Sequence, residues 1–249
     1  MSLPTLGELV EMIDSIVNID DLEIVMARIC AILGFDHFAL SHHVDVNCAA
    51  PSVIRLNNYP PPWAEFYYGN ACGVSDPVHR ASHVTSVGFR WSQIPAMIPL
   101  TTGDLRMLDL GREAGIGDGF TIPANVPGEM RGSCSFAITG HRPLPVDVLP
   151  LAQLAGAFAF ECARNLAVRR GIERSGEAPT LTDRQRECVM WVARGKTDWE
   201  VSKIIGVTED TVTRHMKQAR ERYGVPKRTL LAIRALFDGT LSFDDILMR

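Results

Sequence analysis

The sequence predicts an α+β chain of 249 residues, with an N-terminal α/β/α sandwich around an antiparallel sheet and a C-terminal all-α helix-turn-helix domain. In the first 170 residues, segments with helical apolar spacing come before, between and after segments that alternate or are β-branched. The polar stretch 171–180 carries Gly and Pro without apolar periodicity, which is typical of a linker. We therefore predict one domain over 1–170, a linker over 171–180 and a second domain over 181–249.

Two periodicities define the elements of the N-terminal domain. Apolar residues at 3.6-residue spacing predict helices over 6–17, 25–30, 61–70, 103–114 and most of 146–170. Alternating or β-branched runs predict strands over 37–46, 52–56, 119–123 and 130–139. Because helical segments flank and interrupt the strands, we expect helices on both sides of one sheet.

Helix starts in the C-terminal domain are marked by capping boxes, in which a hydroxyl N-cap is followed three residues later by a carboxyl or amide side chain. The two boxes are Thr182-Asp-Arg-Gln185 and Thr197-Asp-Trp-Glu200. Thr208 is expected to cap a third helix that runs to about Tyr223. Gly206 permits a tight turn between the second and third helices, as a helix-turn-helix motif requires.

Composition limits the class of protein. With 46% hydrophobic and 22% charged residues, the chain resembles ordinary soluble proteins. The start MSLPTLGELVEMID has no basic segment followed by an apolar core, so we expect no secretory signal. The longest apolar run, VLPLAQLAGAFAF, has 13 residues and suits a buried helix better than a membrane span. Six cysteines without a CxxC pair favour reduced thiols. We predict a cytoplasmic location and no membrane partner.

Charge divides the chain unevenly. Residues 1–179 hold 12 Arg, no Lys and 19 acidic side chains, a net charge of −7. Residues 180–249 hold 13 basic and 10 acidic side chains, a net charge of +3. A basic domain attached to an acidic one could bind a polyanion, although so mild an excess also fits a solvated surface.

The third helix of the C-terminal domain has two different faces. Its core positions are expected to be Val212, Met216, Ala219 and Tyr223. Hydrogen-bonding side chains occupy the opposite face, at Asp210, Thr213, Arg214 and Lys217. The major groove of DNA admits such a helix, and Lys196 and Thr197 at the start of the preceding helix could reach phosphates. The alternative is a solvated charged face on a small helical bundle.

The C-terminal segment LTDRQRECVMWVARGKTDWEVSKIIGVTEDTVTRHMKQARERYGV resembles the DNA-binding domain of LuxR-type transcription regulators. The family pattern is met at Leu181, Thr182, Arg184, Gly195, Lys196, Glu200, Thr211, Val212 and His215. Gln185 replaces the usual Glu and Val189 a usual Leu. Gln can still close the capping box and Val can still fill a core position, so neither change affects the expected fold.

The resemblance extends to the N-terminal domain. Quorum-sensing members of this family carry the pattern Tyr-x3-Trp-x3-Tyr-x8-Asp-Pro, then a Trp fifteen residues after the Asp, then a Gly. The chain meets this pattern at Tyr59, Trp63, Tyr67, Asp76, Pro77, Trp91 and Gly119. The resemblance implies that this domain binds an N-acyl homoserine lactone, with no other cofactor.

The resemblance also implies a role for each ligand-binding residue. Asp76 would accept a hydrogen bond from the ligand amide N–H, which would give a carboxylate among aromatics its missing partner. Trp63, a donor only, would bond the lactone carbonyl. Tyr59, assisted by Ser135, would bond the amide carbonyl. Tyr67 and Trp91 would form cavity walls. Acyl selectivity is expected from residues near Leu40, Met107, Leu108 and Gly111.

A metal site is the competing interpretation of the same segment. Asp76, His79 and His83 could offer a carboxylate and two imidazoles to a metal ion, which would suit a metal-dependent lactone hydrolase fused to a DNA-binding domain. We favour a non-enzymatic quorum-sensing transcription factor, without metal or catalytic residues, that binds promoter DNA as a homodimer and contacts RNA polymerase. A ligand-independent or differently triggered regulator of the same architecture is the alternative.

Overall fold

The chain forms two structural units. The computed structural model describes residues 5–44, 53–69, 75–127, 129–172 and 179–247. The first unit comprises Met1–Asn125 and Met130–Ser175, and the second comprises Val126–Glu129 and Gly176–Arg249.

Helices and a single antiparallel sheet make up the described part of the first unit. Its elements are, in chain order, α1 (Leu6–Asp14), α2 (Ile19–Ile32), β1 (His37–His42), β2 (Arg55–Asn57), α3 (Pro61–Gly69), α4 (Pro77–Ser82), β3 (Phe89–Arg90), α5 (Ile94–Met97), α6 (Thr102–Glu113), β4 (Ile116–Ala124), β5 (Gly132–Thr139) and α7 (Leu149–Ile172). The strand order is β2-β1-β5-β4-β3, and all neighbouring strands are antiparallel.

The sheet has one apolar face and one polar face, because side chains alternate along each strand. Phe38 and Leu40 of β1 and Phe136 of β5 are fully buried in the main core, which α1, α2 and α7 complete. The residues between them, such as Ser41 and Ser135, point to the other side, towards α3, α4 and α6. The expected sandwich of helices around an antiparallel sheet is confirmed.

Helix α7 covers the apolar face. By length and composition alone, Val146–Ala167 could cross a membrane, and this stretch is longer than the 13-residue run noted in the sequence. Its alanines Ala152, Ala155, Ala159 and Ala163 are nearly or fully buried. Small side chains at this spacing let the helix approach the sheet closely, as expected of a core helix.

Several predicted boundaries are wrong. The first helix ends at Asp14 rather than residue 17, because Asn18 already caps α2. The first strand ends at His42, and residues 45–46 of the predicted strand lie outside the described residues, as does most of the predicted linker. Elements α4, β3 and α5 were not predicted, since they are too short to show a periodicity.

The second unit is a bundle of short helices. Its elements are α8 (Asp183–Ala193), α9 (Asp198–Ile205), α10 (Glu209–Arg222), α11 (Arg228–Phe237) and α12 (Phe243–Leu247). Thr182, Thr197 and Thr208 cap α8, α9 and α10 as predicted, and both capping boxes are closed. Gly206 has a φ of +70°, the left-handed conformation that glycine adopts without strain.

The core of this unit uses the predicted face of α10. Val212, Met216 and Ala219 are buried there, and Tyr223, just after the helix, packs against the same core. The chain beyond α11 also contributes, because Leu241 is only 1% exposed.

Candidate functional site

A cavity of about 480 Å³ lies between the polar face of the sheet and helices α3, α4 and α6. Pockets of this size commonly bind small molecules. All six residues predicted to bind a ligand line it: Tyr59, Trp63, Tyr67, Asp76, Trp91 and Ser135. Of the residues expected to set acyl selectivity, Met107, Leu108 and Gly111 also line it. Leu40 does not, since it lies on the opposite face of β1 in the main core.

Asp76 is buried, with 8% of its surface exposed, and two protein groups hold its carboxylate. Its Oδ1 accepts a hydrogen bond of 2.7 Å from the Val78 backbone N–H and so caps α4. Its Oδ2 accepts a bond of 2.8 Å from the Tyr67 hydroxyl. The expectation that this carboxylate lacks a protein partner is therefore wrong. Tyr67 therefore orients the Asp76 carboxylate in addition to lining the cavity.

Two tryptophans line the cavity. Trp63 on α3 is 9% exposed and stacks on Phe66 with ring centroids 5.6 Å apart. Trp91 follows β3, and its Nε1–H donates a bond of 2.8 Å to Thr121 Oγ1. Gly119 makes room for this indole, since a Cβ atom there would lie 2.5 Å from Trp91 Cε2.

Thr121 is a site residue that the sequence analysis missed. Besides accepting from Trp91, its Oγ1 lies 2.8 Å from Ser135 Oγ. Strand register places Thr121 directly opposite Ser135 in the β4–β5 pair. Only that register identifies the contact, because a single threonine two residues after Gly119 carries no signal of its own.

Three histidines form a cluster that borders the cavity. The rings of His43 and His79 stack with centroids 3.8 Å apart at 17°. His43 Nδ1 lies 2.8 Å from His83 Nε2, and His43 Nε2 lies 2.9 Å from Ser133 Oγ. Burial, together with the neighbouring histidines and Arg131, lowers the pKa of His43 far below its usual value. Burial, Arg131 and His79 lower the pKa of His83 to about 4. His43 and His83 are therefore neutral at physiological pH.

The geometry does not favour the metal interpretation. His79 Nε2 and Asp76 Oδ2 are 3.9 Å apart, whereas His83 bonds His43 instead of joining them. Among the residues described here, no group of three or more His, Cys, Asp or Glu side chains is arranged to hold a metal ion.

In the second unit, α10 presents the predicted polar face. Asp210, Thr213, Arg214 and Lys217 are all exposed. Thr213 also braces the motif, because its Oγ1 donates a bond of 2.9 Å to Asp198 Oδ2 in the first turn of α9. The other oxygen of Asp198 accepts from Arg228 at 2.8 Å, which ties α11 to the same turn.

The start of α9 carries Lys196 and Thr197. Thr197 Oγ1 accepts from the Glu200 backbone N–H at 3.2 Å, and Lys196 Nζ lies 3.2 Å from Glu200 Oε1. The Thr197 backbone N–H and the Lys196 ammonium hold the pKa of Glu200 below its usual value. A phosphate at this helix start would therefore meet a lysine that is already paired with a carboxylate.

Both units match known families of bacterial regulators. Residues 18–163 match the family described as autoinducer binding domain. Residues 179–235 match the family described as bacterial regulatory proteins, luxR family. Fold and sites thus define a transcription regulator with a ligand-binding domain and a helix-turn-helix domain. The chain belongs to the LuxR family of bacterial regulators with an autoinducer-binding domain.

Similar proteins cover nearly the whole chain. The transcriptional activator protein AhyR of Aeromonas hydrophila is 26% identical over 245 residues, which is 97% of this chain and 94% of AhyR. The quorum sensing-dependent regulator RpaR of Rhodopseudomonas palustris is 27% identical over 237 residues, 93% of either chain. The putative regulator y4qH of Sinorhizobium fredii is 31% identical over 212 residues, 84% of this chain and 61% of y4qH. The prediction of a transcription regulator rather than an enzyme is confirmed by these relatives.

Solved structures confirm the fold class. A crystal structure of Escherichia coli SdiA superposes with a TM-score of 0.62 at 20% identity, covering 94% of this chain and 96% of SdiA. SdiA in complex with octanoyl-rac-glycerol gives a TM-score of 0.59 at 20% identity, covering 94% and 93%.

Proposed function

We propose that this chain is a quorum-sensing transcription factor whose N-terminal unit binds an N-acyl homoserine lactone and whose C-terminal unit binds promoter DNA as a dimer. The observation that carries the proposal is the buried Asp76 carboxylate, which Tyr67 fixes at the wall of the cavity. Tyr59, Trp63 and Ser135 line the same cavity, so the hydrogen-bonding groups that the resemblance implies share one cavity with the acid.

Asp76 retains the capacity to bind the ligand amide. An ionised carboxylate offers about four acceptor positions, and the Tyr67 hydroxyl and Val78 N–H occupy one on each oxygen. The ligand N–H would therefore be a third donor to a pre-oriented acceptor. Such charge-assisted bonds are roughly twice as strong as neutral ones.

A chain of hydrogen-bonded hydroxyl groups would orient Ser135 towards the amide carbonyl of the ligand. Trp91 Nε1–H donates to Thr121 Oγ1, so the Thr121 hydroxyl proton is available for Ser135 Oγ at 2.8 Å. Ser135 would then donate its own proton to the ligand carbonyl, together with Tyr59. Hydrogen bonds arranged in such a chain polarise and strengthen one another.

The remaining roles complete the proposal. Trp63 would donate to the lactone carbonyl from its position against Gly111, where a Cβ atom would lie only 3.5 Å from its ring. Tyr67 and Trp91 would flank the bound molecule. The two helix-turn-helix units of a dimer would meet two half-sites of a near-palindrome in the cytoplasm and contact RNA polymerase there.

Asp76→Asn tests the lactone site, because Asn still caps α4 but loses the charge that attracts the amide N–H. We expect the Kd of N-octanoyl homoserine lactone, measured calorimetrically on the full chain, to rise at least about tenfold. Asp109→Asn, at an exposed position that pairs with Arg112, is the matched control and should bind normally. An unchanged Kd for Asp76→Asn would refute this role. A wild-type chain that binds no lactone would favour the differently triggered regulator.

Arg214→Ala and Lys217→Ala test the DNA face of α10. We expect weaker operator binding and unaltered lactone binding. A phosphate contact should lower the slope of log K against log salt by about one unit, whereas a base contact should relax sequence preference. Arg184→Ala removes an equal charge from the exposed face of α8 and serves as control. Normal operator binding by both α10 variants throughout a salt titration would place the DNA contact on another face.

A further inference from the structure

A polar pair lies next to Asp76 in the cavity. His79 is one helical turn after Asp76, and its Nε2 lies 3.9 Å from Asp76 Oδ2. Ser41 on β1 faces the same point, with its Oγ 3.3 Å from His79 Nε2. Both side chains line the cavity. Asp76, His79 and Ser41 thus form a continuous polar strip on the wall.

The position of this strip relative to a bound acyl amide follows from amide geometry. In a trans secondary amide, the N–H lies on the same side as the first acyl carbon beyond the carbonyl, because the carbonyl oxygen points the opposite way. An acceptor for that N–H therefore lies alongside the second and third carbons of the acyl chain. With Asp76 as the acceptor, Ser41 and His79 are the next polar groups that this part of the chain meets.

We propose that Ser41 and His79 bind an oxygen on the third carbon of the acyl chain, so that the ligand class is a 3-oxo- or 3-hydroxyacyl homoserine lactone. The inference rests on the proposed lactone function. An aliphatic third carbon would place methylene groups against Ser41 and His79, where they could make no hydrogen bond.

The pair can donate a proton to such an oxygen. Asp76 lies near His79 Nε2 and favours a proton on that nitrogen, which then donates to Ser41 Oγ. The Ser41 hydroxyl proton is thereby directed towards the ligand. A ketone or a hydroxyl oxygen can accept it, whereas a methylene group cannot.

The histidine cluster holds the pair in place. His43 covers one face of the His79 imidazole at 3.8 Å between ring centroids. His83 and Ser133 bond the two nitrogens of His43, which fixes the orientation of that ring in turn. Because its support is built before the ligand arrives, His79 loses little conformational freedom on binding.

The test compares three lactones of equal chain length on the full chain by titration calorimetry: N-octanoyl, N-3-oxooctanoyl and N-3-hydroxyoctanoyl homoserine lactone. We expect both oxygenated compounds to bind about tenfold more tightly than N-octanoyl homoserine lactone. Ser41→Ala should reduce this ratio to near one. Ser86→Ala, a Ser→Ala change at an exposed position outside the cavity lining, should retain the wild-type ratio.

The possible outcomes distinguish a failure of this inference from a failure of the proposed lactone-binding function. If the unsubstituted lactone binds as tightly as the oxygenated ones, the subsite is refuted while the lactone site stands. A Ser41→Ala variant with a wild-type melting temperature and an unchanged ratio also refutes it. If none of the three lactones binds, the proposed function itself fails. His79→Leu removes the imidazole while leaving the Ser41 hydroxyl in place, so it should also lower the ratio, and an unchanged ratio would refute the role of His79.

Discussion

The helix caps of the C-terminal unit and the polar contacts around the cavity of the N-terminal unit join residues at very different distances along the chain. In the C-terminal unit, Thr182, Thr197 and Thr208 each bond the backbone N–H three residues later. In the N-terminal unit, Ser41 and His79 are 38 residues apart in sequence, and His43 and Ser133 are 90 apart.

The difference separates two ways of building a functional surface. The polar face of α10 needs only a capped helix with one apolar stripe, so it is encoded within a few turns. The cavity needs the register of β1, β4 and β5 together with the placement of α3 and α4. A local error would therefore remove one contact from the C-terminal unit, whereas a packing error in the N-terminal unit would displace several cavity residues together.

Leu241→Ala should cause the largest loss of stability. It tests whether the core of the C-terminal unit depends on a residue beyond α11. Leu241 lies beyond the matched family region, which ends at residue 235, yet it is 1% exposed in the helical core. We expect a loss of about 2–5 kcal/mol in the free energy of unfolding, measured by urea denaturation. Leu247→Ala, at a residue that is 75% exposed, should change it by less than about 0.5 kcal/mol. Equal stability of the two variants would mean that the core ends with α11.

Gly119→Ala and Gly111→Ala form a matched pair for the N-terminal unit. A Cβ atom at residue 119 would lie 2.5 Å from Trp91 Cε2, whereas one at residue 111 would lie 3.5 Å from Trp63 Cη2, an ordinary contact. We expect Gly119→Ala to lower the free energy of unfolding, measured by thermal denaturation, by about 1–3 kcal/mol and to break the Trp91–Thr121 hydrogen bond. Gly111→Ala, within helix α6, should be neutral or slightly stabilising. Equal effects would show that the cavity wall adapts to added volume.

Acidification should lower the stability of the folded chain gradually and by a smaller amount. His43 and His83 have pKa values below the ordinary value of about 6.5, so below that pH the unfolded chain binds protons that the folded chain does not. The contribution of the two neutral imidazoles to stability is therefore fully present above about pH 6.5 and is lost as the pH drops towards 4. The loss is up to about 1.4 kcal/mol per pH unit for the buried His43 and smaller for the partly exposed His83, which solvent screens. Calorimetric melting temperatures from pH 7.5 to 5 measure this slope.

Two histidine variants test whether the histidine cluster causes this dependence of the melting temperature on pH. His83→Gln should flatten it, because one of the two depressed imidazoles is removed. His141→Gln replaces an exposed histidine after β5 and should leave the slope as it is. Equal slopes in the wild type and His83→Gln would contradict the assignment.

The sequence predicted much of the site but not its connections. The resemblance to the family implied Tyr59, Trp63, Tyr67, Asp76, Trp91 and Ser135 as ligand-binding residues, and all of them line one cavity. The spacing gave no indication that Tyr67 donates to Asp76 or that Thr121 joins Trp91 to Ser135. Leu40 was placed in the cavity wrongly, since a shift of one residue along a strand changes the face of the sheet.

By itself, the sequence determined the features whose partners lie within one helical turn. These include the three threonine caps of the C-terminal unit and the left-handed glycine at residue 206. The apolar spacing of α10 also determined which of its faces is buried. Only the tertiary structure decided which polar side chains meet inside the N-terminal unit. Ser41, His79 and Asp76 come together because antiparallel pairing fixes which strand residues face α4, and no local pattern carries that register.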